Sequence, residues 1–364
     1  MRETIPVRLF IVKPDNIGDF VLATGAIRLL GREVGPENVT LCVKSMLVPL
    51  ARAQYPEMLV VELPVAAKRK VMNLFLRNLI MCLPLLVQLK FKRFDTSVCL
   101  RSMRTYLETL VFLLPGARRF VANENILLRS GRRVRIIVES GVNRMRGTEL
   151  VPYPEEVIDV PLEIEAHRRV VEQVLRRAVA VREVMPELLT HAKPSGSESE
   201  PYWVFAPLTS EAKKNYPLSA WIDVLKQVPC ALLPEKILLT GSINQAPALD
   251  EFLRAISAAE IGVVVEVCLP DDLVTFAGLI GEASMVLTGD TAAAHFATAM
   301  DRPALVLFSG RHTGMFGPWQ RSKRQQWLTP SGSSEKQKPK WHDRIAPTRA
   351  GAALVELLGF DDAM

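Results

Sequence analysis

Short apolar runs alternate along the chain with longer segments whose apolar positions recur at helical spacing. In the first half, Leu9 to Val12, Val39 to Val43, Leu59 to Leu63 and Ser97 to Leu100 read as buried strands, and Phe120 with Val121 begins a further short one. Between them, Asp19 to Leu30, a window around residues 71–90, Tyr106 to Leu114 and the strongly amphipathic Glu163 to Val181 read as helices. Residues 129–159 are Arg-rich and irregular and read as loop. The polar stretch 186–201, PELLTHAKPSGSESEP, is the clearest linker. The alternation then restarts. Strands are expected at Trp203 to Ala206, Lys236 to Thr240, Gly262 to Val267, Met285 to Leu287 and Ala304 to Phe308. Helices are expected at Leu218 to Gln227, Ala248 to Ala258, Leu273 to Gly281 and Ala292 to Met300. A polar segment, 322–345, precedes a closing helix, Pro347 to Leu358.

Strands alternating with helices argue for an α/β fold with parallel sheets. The expected organisation is a first domain at 1–185, the linker at 186–201, a second domain at 202–345, and a closing segment, 346–364, as a candidate to pack back on the first domain. The length, 364 residues with 49% hydrophobic, suffices for two cores and excludes a disordered chain.

Charge adds an asymmetry. Residues 1–190 hold 29 Lys and Arg against 20 Asp and Glu; the remainder holds 16 against 19. A basic first half points to an anionic partner (nucleic acid, a phosphorylated glycolipid, a membrane surface) or is simply a solvated basic face. Cys42, Cys82, Cys99, Cys230 and Cys268 form no CxxC pair, and four lie in or near apolar runs, so buried reduced thiols are expected rather than a metal cluster. No signal peptide is read before the first strand. Val71 to Leu89 is the most apolar window, but Asn73, Arg77, Asn78 and Pro84 interrupt it, with Lys68 to Lys70 before and Lys90, Lys92 and Arg93 after. It reads as a core helix with basic ends or as a segment touching anionic lipid.

Open parallel sheets bind ligands beyond the carboxyl ends of their strands, so the strand-to-helix turns are the candidate sites. The first is Lys13-Pro-Asp-Asn-Ile-Gly-Asp19. Gly18 suits a tight turn, and Asp19 falls at the N-cap or first turn, where capping already favours it. No GxGxxG follows the strand, which weakens a dehydrogenase reading. The second turn places Thr209, Ser210, Lys213 and Lys214 before a helix, a composition suited to phosphate or to ordinary surface. The third places Asp290 and Thr291 at a helix start, where the N–H groups of residues 291–293 and the helix dipole would favour an anion; the alternative is an Asp290 N-cap and a satisfied His295.

The order and spacing of these turns resemble glycosyltransferase family 9, the ADP-heptose:lipopolysaccharide heptosyltransferases. RLFIVKPDNIGDFVLATGAIRLL is similar to the family's opening, TSEAKKNYP to its hydroxyl-hydroxyl-x-x-x-Lys-x-Trp-Pro loop, and GDTAAAH to its Asp-Thr-Gly-x-x-His helix. The resemblance implies a GT-B fold of two Rossmann-like, doubly wound parallel-sheet domains facing a cleft. It implies inverting, metal-independent transfer of a sugar, heptose in the family, from a nucleotide diphosphate to an anionic glycolipid or glycan of the lipopolysaccharide core. No cofactor is implied beyond the co-substrate ADP-heptose. Carried over, Asp19 is the general base and Lys214 neutralises the departing diphosphate, while Thr209, Ser210, Ser242, Asp290, Thr291, Ala292 and His295 hold the donor. Lys13, Gly18 and Arg311 become candidates for acceptor or phosphate. A cytoplasmic enzyme, touching the inner membrane at most peripherally, is the implied setting.

The chain departs from the family at Tyr216, where a tryptophan is usual, at Ala292, where glycine is usual, and at Ser242 and Asn244, where a carboxylate is common. Ser309 and Gly310 replace a Gly-Pro pair, and Arg311, His312 and Thr313 follow. Ala292 is the best support for a rival: a fold that binds nucleotide sugar or glycan without turnover. A nucleic-acid-binding reading of Arg129, Arg132, Arg133, Arg135, Arg144 and Arg146 is weakened because no aromatic residue interleaves them.

Overall fold

The computed structural model describes residues 8–63, 74–104, 106–113, 116–126, 146–156, 159–189, 200–331 and 340–361. The chain divides into two compact units, Met1–Glu187 with Gly314–Phe316, and Leu188–Thr313 with Gly317–Met364.

Unit 1 alternates β1 (Leu9–Val12), α1 (Ile17–Val34), β2 (Val39–Lys44), α2 (Val48–Gln54), β3 (Leu59–Leu63), α3 (Leu74–Phe91), β4 (Thr96–Cys99), α4 (Tyr106–Leu113), β5 (Arg119–Asn123), β6 (Glu149–Val151) and α5 (Leu162–Leu175). The strands form one parallel sheet ordered β3-β2-β1-β4-β5-β6. That is the doubly wound nucleotide-binding order, whose switch point lies between β1 and β4. All four residues of β1 are buried, as expected of a strand covered on both faces. Phe10, Phe94, Phe112, Phe120, Leu85, Leu89 and the thiols of Cys42, Cys82 and Cys99 share a core. Gly25 in α1 permits a close approach: a Cβ there would lie 2.2 Å from the Met185 carbonyl oxygen. Beside it, Thr24 Oγ1 accepts from the Glu187 N–H at 3.0 Å, tying the chain after α5 to α1.

Unit 2 repeats the plan with β7 (Tyr202–Ala206), α6 (Leu218–Leu225), β8 (Lys236–Thr240), α7 (Ala246–Ala258), β9 (Val264–Cys268), α8 (Leu273–Glu282), β10 (Met285–Gly289), α9 (Ala292–Ala299), β11 (Ala304–Leu307), β12 (Gln325–Leu328) and α10 (Pro347–Asp361). Its parallel sheet runs β12-β11-β10-β7-β8-β9, the same order again, with the switch point between β7 and β10. Phe205, Trp221 and Phe252 anchor the core, with Phe205 edge-on to Trp221 at 5.0 Å and to Phe252 at 5.4 Å. The closing helix, a candidate to return to the first domain, takes its core contacts from unit 2: Ala350, Leu354 and Leu357 are buried with Trp221 and Leu305.

The region read as irregular loop, 129–159, and the segment read as polar, 322–345, each contain an edge strand, β6 and β12. Both are short and partly polar, so they carry almost no alternation and are specified by pairing to β5 and β11. No disulfide joins any of the five cysteines; Cys42, Cys82 and Cys99 are buried and Cys268 is half-buried, whereas Cys230, which opens a short turn of 3-10 helix, is exposed. Arg129, Arg132, Arg133, Arg135 and Arg144 lie outside the described residues, as does most of the 186–201 linker. No helix among the described residues is long and apolar enough to cross a membrane.

Candidate active site

At the switch point of unit 1, the turn after β1 meets the turn after β4. Lys13 is not a solvated strand-end lysine: it is 1% exposed. Its Nζ lies 2.9 Å from Asp15 Oδ2, donates to the Leu100 carbonyl at 3.0 Å and approaches His167 Nε2 at 3.2 Å. Arg101 Nη1 pairs with Asp15 Oδ1 at 3.0 Å and donates to the Pro14 carbonyl at 2.7 Å, while Arg101 Nε pairs with Glu108 at 3.1 Å. Glu163 on α5 accepts from Ser102 Oγ at 3.3 Å and from the Tyr153 hydroxyl at 3.1 Å. Buried charges persist only when paired and hydrogen-bonded, and these are.

Burial opposes the Lys13 charge, but Asp15, Glu163 and Asp19 outweigh it and hold its pKa above the ordinary value. Burial likewise opposes ionised Asp15, and Lys13 and Arg101 outweigh it, so Asp15 stays a carboxylate. His167 is driven down to about 3, chiefly by burial and then by the Lys13 charge. It is therefore neutral, with Nδ1 3.2 Å from the Leu22 carbonyl oxygen and Nε2 3.0 Å from the Leu100 carbonyl oxygen and 3.2 Å from Lys13 Nζ, so its one ring proton serves one carbonyl or the other. Burial raises Glu163 to about 7, with Asp15 and Asp19 adding to the effect against Lys13.

Asp19 stands apart. It is the third residue of α1, half-buried, and no hydrogen bond or ion pair engages its carboxylate among the described residues. Neither it nor the N-cap residue, Asn16, caps the helix with its side chain; Asn16 Oδ1 instead accepts from Lys44 Nζ at 3.2 Å. Burial and then the Asp15 charge raise the Asp19 pKa to about 6, against the pull of Lys13, Arg101 and Lys44. A carboxylate that is unpartnered, partly accessible and titrating near neutrality is suited to accept a proton. Gly18 is the second residue of α1 and its φ is not left-handed, so the turn does not depend on glycine for its backbone.

At the switch point of unit 2, the turn after β7 lies beside the turn after β10. Lys214 Nζ is 3.4 Å from Asp290 Oδ2, and Ser309 Oγ donates to the same oxygen at 3.0 Å. The N-cap of α9 is Thr291, whose Oγ1 accepts from the Ala293 N–H at 3.1 Å and meets Thr288 Oγ1 at 2.8 Å. The Asp290 carboxylate is thus an ion-pair partner rather than a cap. Of the three N–H groups expected to point at an anion, that of Thr291 donates to the Gly289 carbonyl and that of Ala293 to the cap, leaving Ala292. Ala292 has no left-handed φ, so alanine sits there without strain. Gly310, by contrast, has φ +76°, a conformation closed to the proline usual in the family.

Thr209 organises its own loop: its N–H donates to Asn215 Oδ1 at 2.8 Å and its Oγ1 to the Glu211 carbonyl at 2.7 Å. Ser210 and Arg311 are exposed, and Ser242 shares a capping box with Gln245, whose Nε2 reaches the Thr209 carbonyl at 3.1 Å. Tyr216 is a core residue, edge-on to Trp221 at 5.5 Å, with its hydroxyl donating to the Ile345 carbonyl at 2.7 Å. His295 is buried, and Trp319 Nε1 donates to its Nδ1 at 3.0 Å. Burial takes its pKa down to about 4, so the ring is neutral and carries its proton on Nε2.

Sequence reading missed Asp15, Arg101, Glu163 and His167, the residues that surround Lys13. The signal for Asp15 and Arg101 is their position just after β1 and β4; Glu163 and His167 lie on α5, whose pattern is that of an ordinary amphipathic helix. Among the described residues, no group of three or more His, Cys, Asp or Glu is placed to hold a metal ion.

The family model described as Glycosyltransferase family 9 (heptosyltransferase) matches residues 161–345, just over half of the chain. An Escherichia coli ADP-heptose lipopolysaccharide heptosyltransferase II is 17% identical, with TM-score 0.68 over 98% of this chain and 99% of that one. The E. coli heptosyltransferase WaaC with ADP-2-deoxy-2-fluoro heptose is 16% identical, with TM-score 0.68 over 96% and 99%. A family 9 glycosyl transferase from Veillonella parvula is 12% identical, with TM-score 0.69 over 97% of each chain. At these identities the structures speak to the fold alone. No curated protein matches the chain by sequence.

Proposed function

The chain belongs to glycosyltransferase family 9, and from that premise we propose that it moves heptose from ADP-heptose to an anionic lipopolysaccharide-core or related glycan, with inversion and without a metal. The observation that carries this reading is the unpartnered Asp19 carboxylate, raised to about 6 at the switch point of unit 1. A sugar hydroxyl is a weak nucleophile. Asp19 takes its proton as the oxygen bonds to the anomeric carbon, and the bond from that carbon to the diphosphate breaks, leaving the electron pair on phosphate. Asp15, Lys13 and Arg101 form a fixed buried framework that sets the field around this carboxylate.

Unit 2 is the donor unit in this reading. Lys214, oriented by Asp290, meets the negative charge that grows on the diphosphate, and the Ala292 N–H and the exposed Ser210 and Arg311 are at hand for its oxygens. His295 presents a neutral Nε2–H donor rather than a second charge. The ADP-heptose assignment draws on the WaaC relative with its fluorinated ADP-heptose. The setting is the cytoplasm, with the acceptor handled at the inner face of the membrane. The backbone at Ala292 is one that alanine adopts without strain, which supports the active reading over a fold without turnover.

The test is a panel of nucleotide sugars. ADP-heptose should raise the melting temperature of the purified chain and be consumed with a lipopolysaccharide-core acceptor. Binding without consumption would favour the inactive reading, and no response to any nucleotide sugar would overturn both.

A further inference from the structure

We propose that unit 1 docks on anionic phospholipid bilayers through the outer face of α3 and an arginine-lined cavity at its end. The helix buries Cys82, Leu85 and Leu89 against the sheet. Its opposite face is apolar as well, with Ile80 62%, Leu83 54%, Val87 49% and Phe91 78% exposed. At about 100° per residue these positions fall on one stripe, with Pro84 between them. The stripe is roughly 17 Å long at 1.5 Å per residue. A surface helix in water normally turns charged residues outward. Single exposed apolar residues are unremarkable, but a contiguous stripe of large ones marks a surface that is covered in use.

The occupant is indicated by charge. The stripe ends at Phe91, and Phe91 also lines a cavity of about 740 Å³ whose other walls are Arg8, Arg93, Phe94, Asp95, Gly116 and Arg118. Three arginines and one aspartate leave that cavity net positive, and all three arginines are exposed. Apolar side chains beside guanidinium groups suit acyl chains beside phosphate headgroups, whereas a second copy of this surface would set like charge against like. Arg8, Asp95 and Arg118 immediately precede β1, β4 and β5, so the cavity lies at the amino ends of the strands. Asp19 follows β1 at the other end. Because β3 and β4 are parallel, α3 runs back between those two ends. A helix lying in the interface therefore keeps the Asp19 end of unit 1 alongside the membrane without using any residue of the candidate active site. The inference stands apart from the transferase reading, since docking requires no donor.

The experiment is co-sedimentation of the full chain with phosphatidylglycerol vesicles and with phosphatidylcholine vesicles, without substrate. Binding is expected to phosphatidylglycerol, weakened by salt, and reduced roughly fivefold for each arginine neutralised. Arg93→Gln with Arg118→Gln tests the cavity, and Val87→Ser with Phe91→Ser tests the stripe. All four positions are exposed, and thermal unfolding checks that each variant folds. Both pairs should lose vesicle binding and keep the wild-type unfolding temperature. Equal binding to both lipids, binding unaffected by either pair, or a dimer in solution that the Val87→Ser/Phe91→Ser variant disrupts would overturn the proposal.

Discussion

Replacing Asp19 by asparagine should remove activity and at the same time stabilise the protein at neutral pH. Asparagine keeps the shape of the side chain and removes its charge. The catalytic loss expected for a general base is roughly 10²- to 10⁴-fold in kcat. The gain in stability follows from linkage. The folded-state pKa is raised from 3.8 to about 6, so the folded protein binds more protons than the unfolded chain between those values. Stability therefore falls as pH rises through that window, and the full penalty is present above it. Two pKa units correspond to about 3 kcal/mol, reduced to about 1–2 kcal/mol because the carboxylate is partly solvated. For a unit of this size that is roughly 2–8 °C in melting temperature. The assay is thermal unfolding of wild type and Asp19→Asn from pH 4 to pH 8, paired with pH–rate profiles. The two melting curves should coincide near pH 4, separate through pH 6 and stay parallel above it. Wild-type kcat/KM should show an acid limb near 6, with about a tenfold loss between pH 7 and pH 5. Full turnover in the variant would remove Asp19 as base. An acid limb near 4 with no stability gain would refute the claim that burial and Asp15 raise this carboxylate.

Lys214→Ala should lower donor turnover by roughly 10²-fold while leaving Asp290 without its ion-pair partner; unaltered single-turnover rates with ADP-heptose would count against it. Trp319→Phe removes the donor to His295 Nδ1 and should cost about 1–2 kcal/mol while releasing the ring from one tautomer. Imidazole ¹⁵N NMR should find the Nε2–H form in the wild type and a mixture in the variant; an Nδ1–H wild type would contradict the hydrogen bond. Ala292→Gly should leave kcat near the wild-type value and lower stability by at most about 0.5–1 kcal/mol. A large rate increase would mean that the turn does need glycine.

Both alternations of strand and helix were legible along the chain because a parallel sheet covered on both faces requires runs such as LFIV and MVLTG, whatever surrounds them. The same logic placed Asp19, Lys214, Asp290 and Thr291 in strand-to-helix turns, where doubly wound folds bind ligands. Edge strands β6 and β12 were not legible, since GluLeuVal and GlnGlnTrpLeu acquire strand geometry only from the neighbour they pair with.

The chemistry of those turns was decided in three dimensions. Nothing local distinguishes Lys13 from a solvated lysine. It is buried because β4, 87 residues on, delivers the Leu100 carbonyl, and α5, 154 residues on, delivers His167. The Lys214–Asp290 pair likewise joins turns that are neighbours only because β10 pairs with β7. Sequence determined which elements form and where their turns fall, because periodicity and turn chemistry act over a few residues. Tertiary structure decided which charges meet, which stay hydrated and which carboxylate is left without a partner, because electrostatic energies depend on distance and burial, and folding alone sets both.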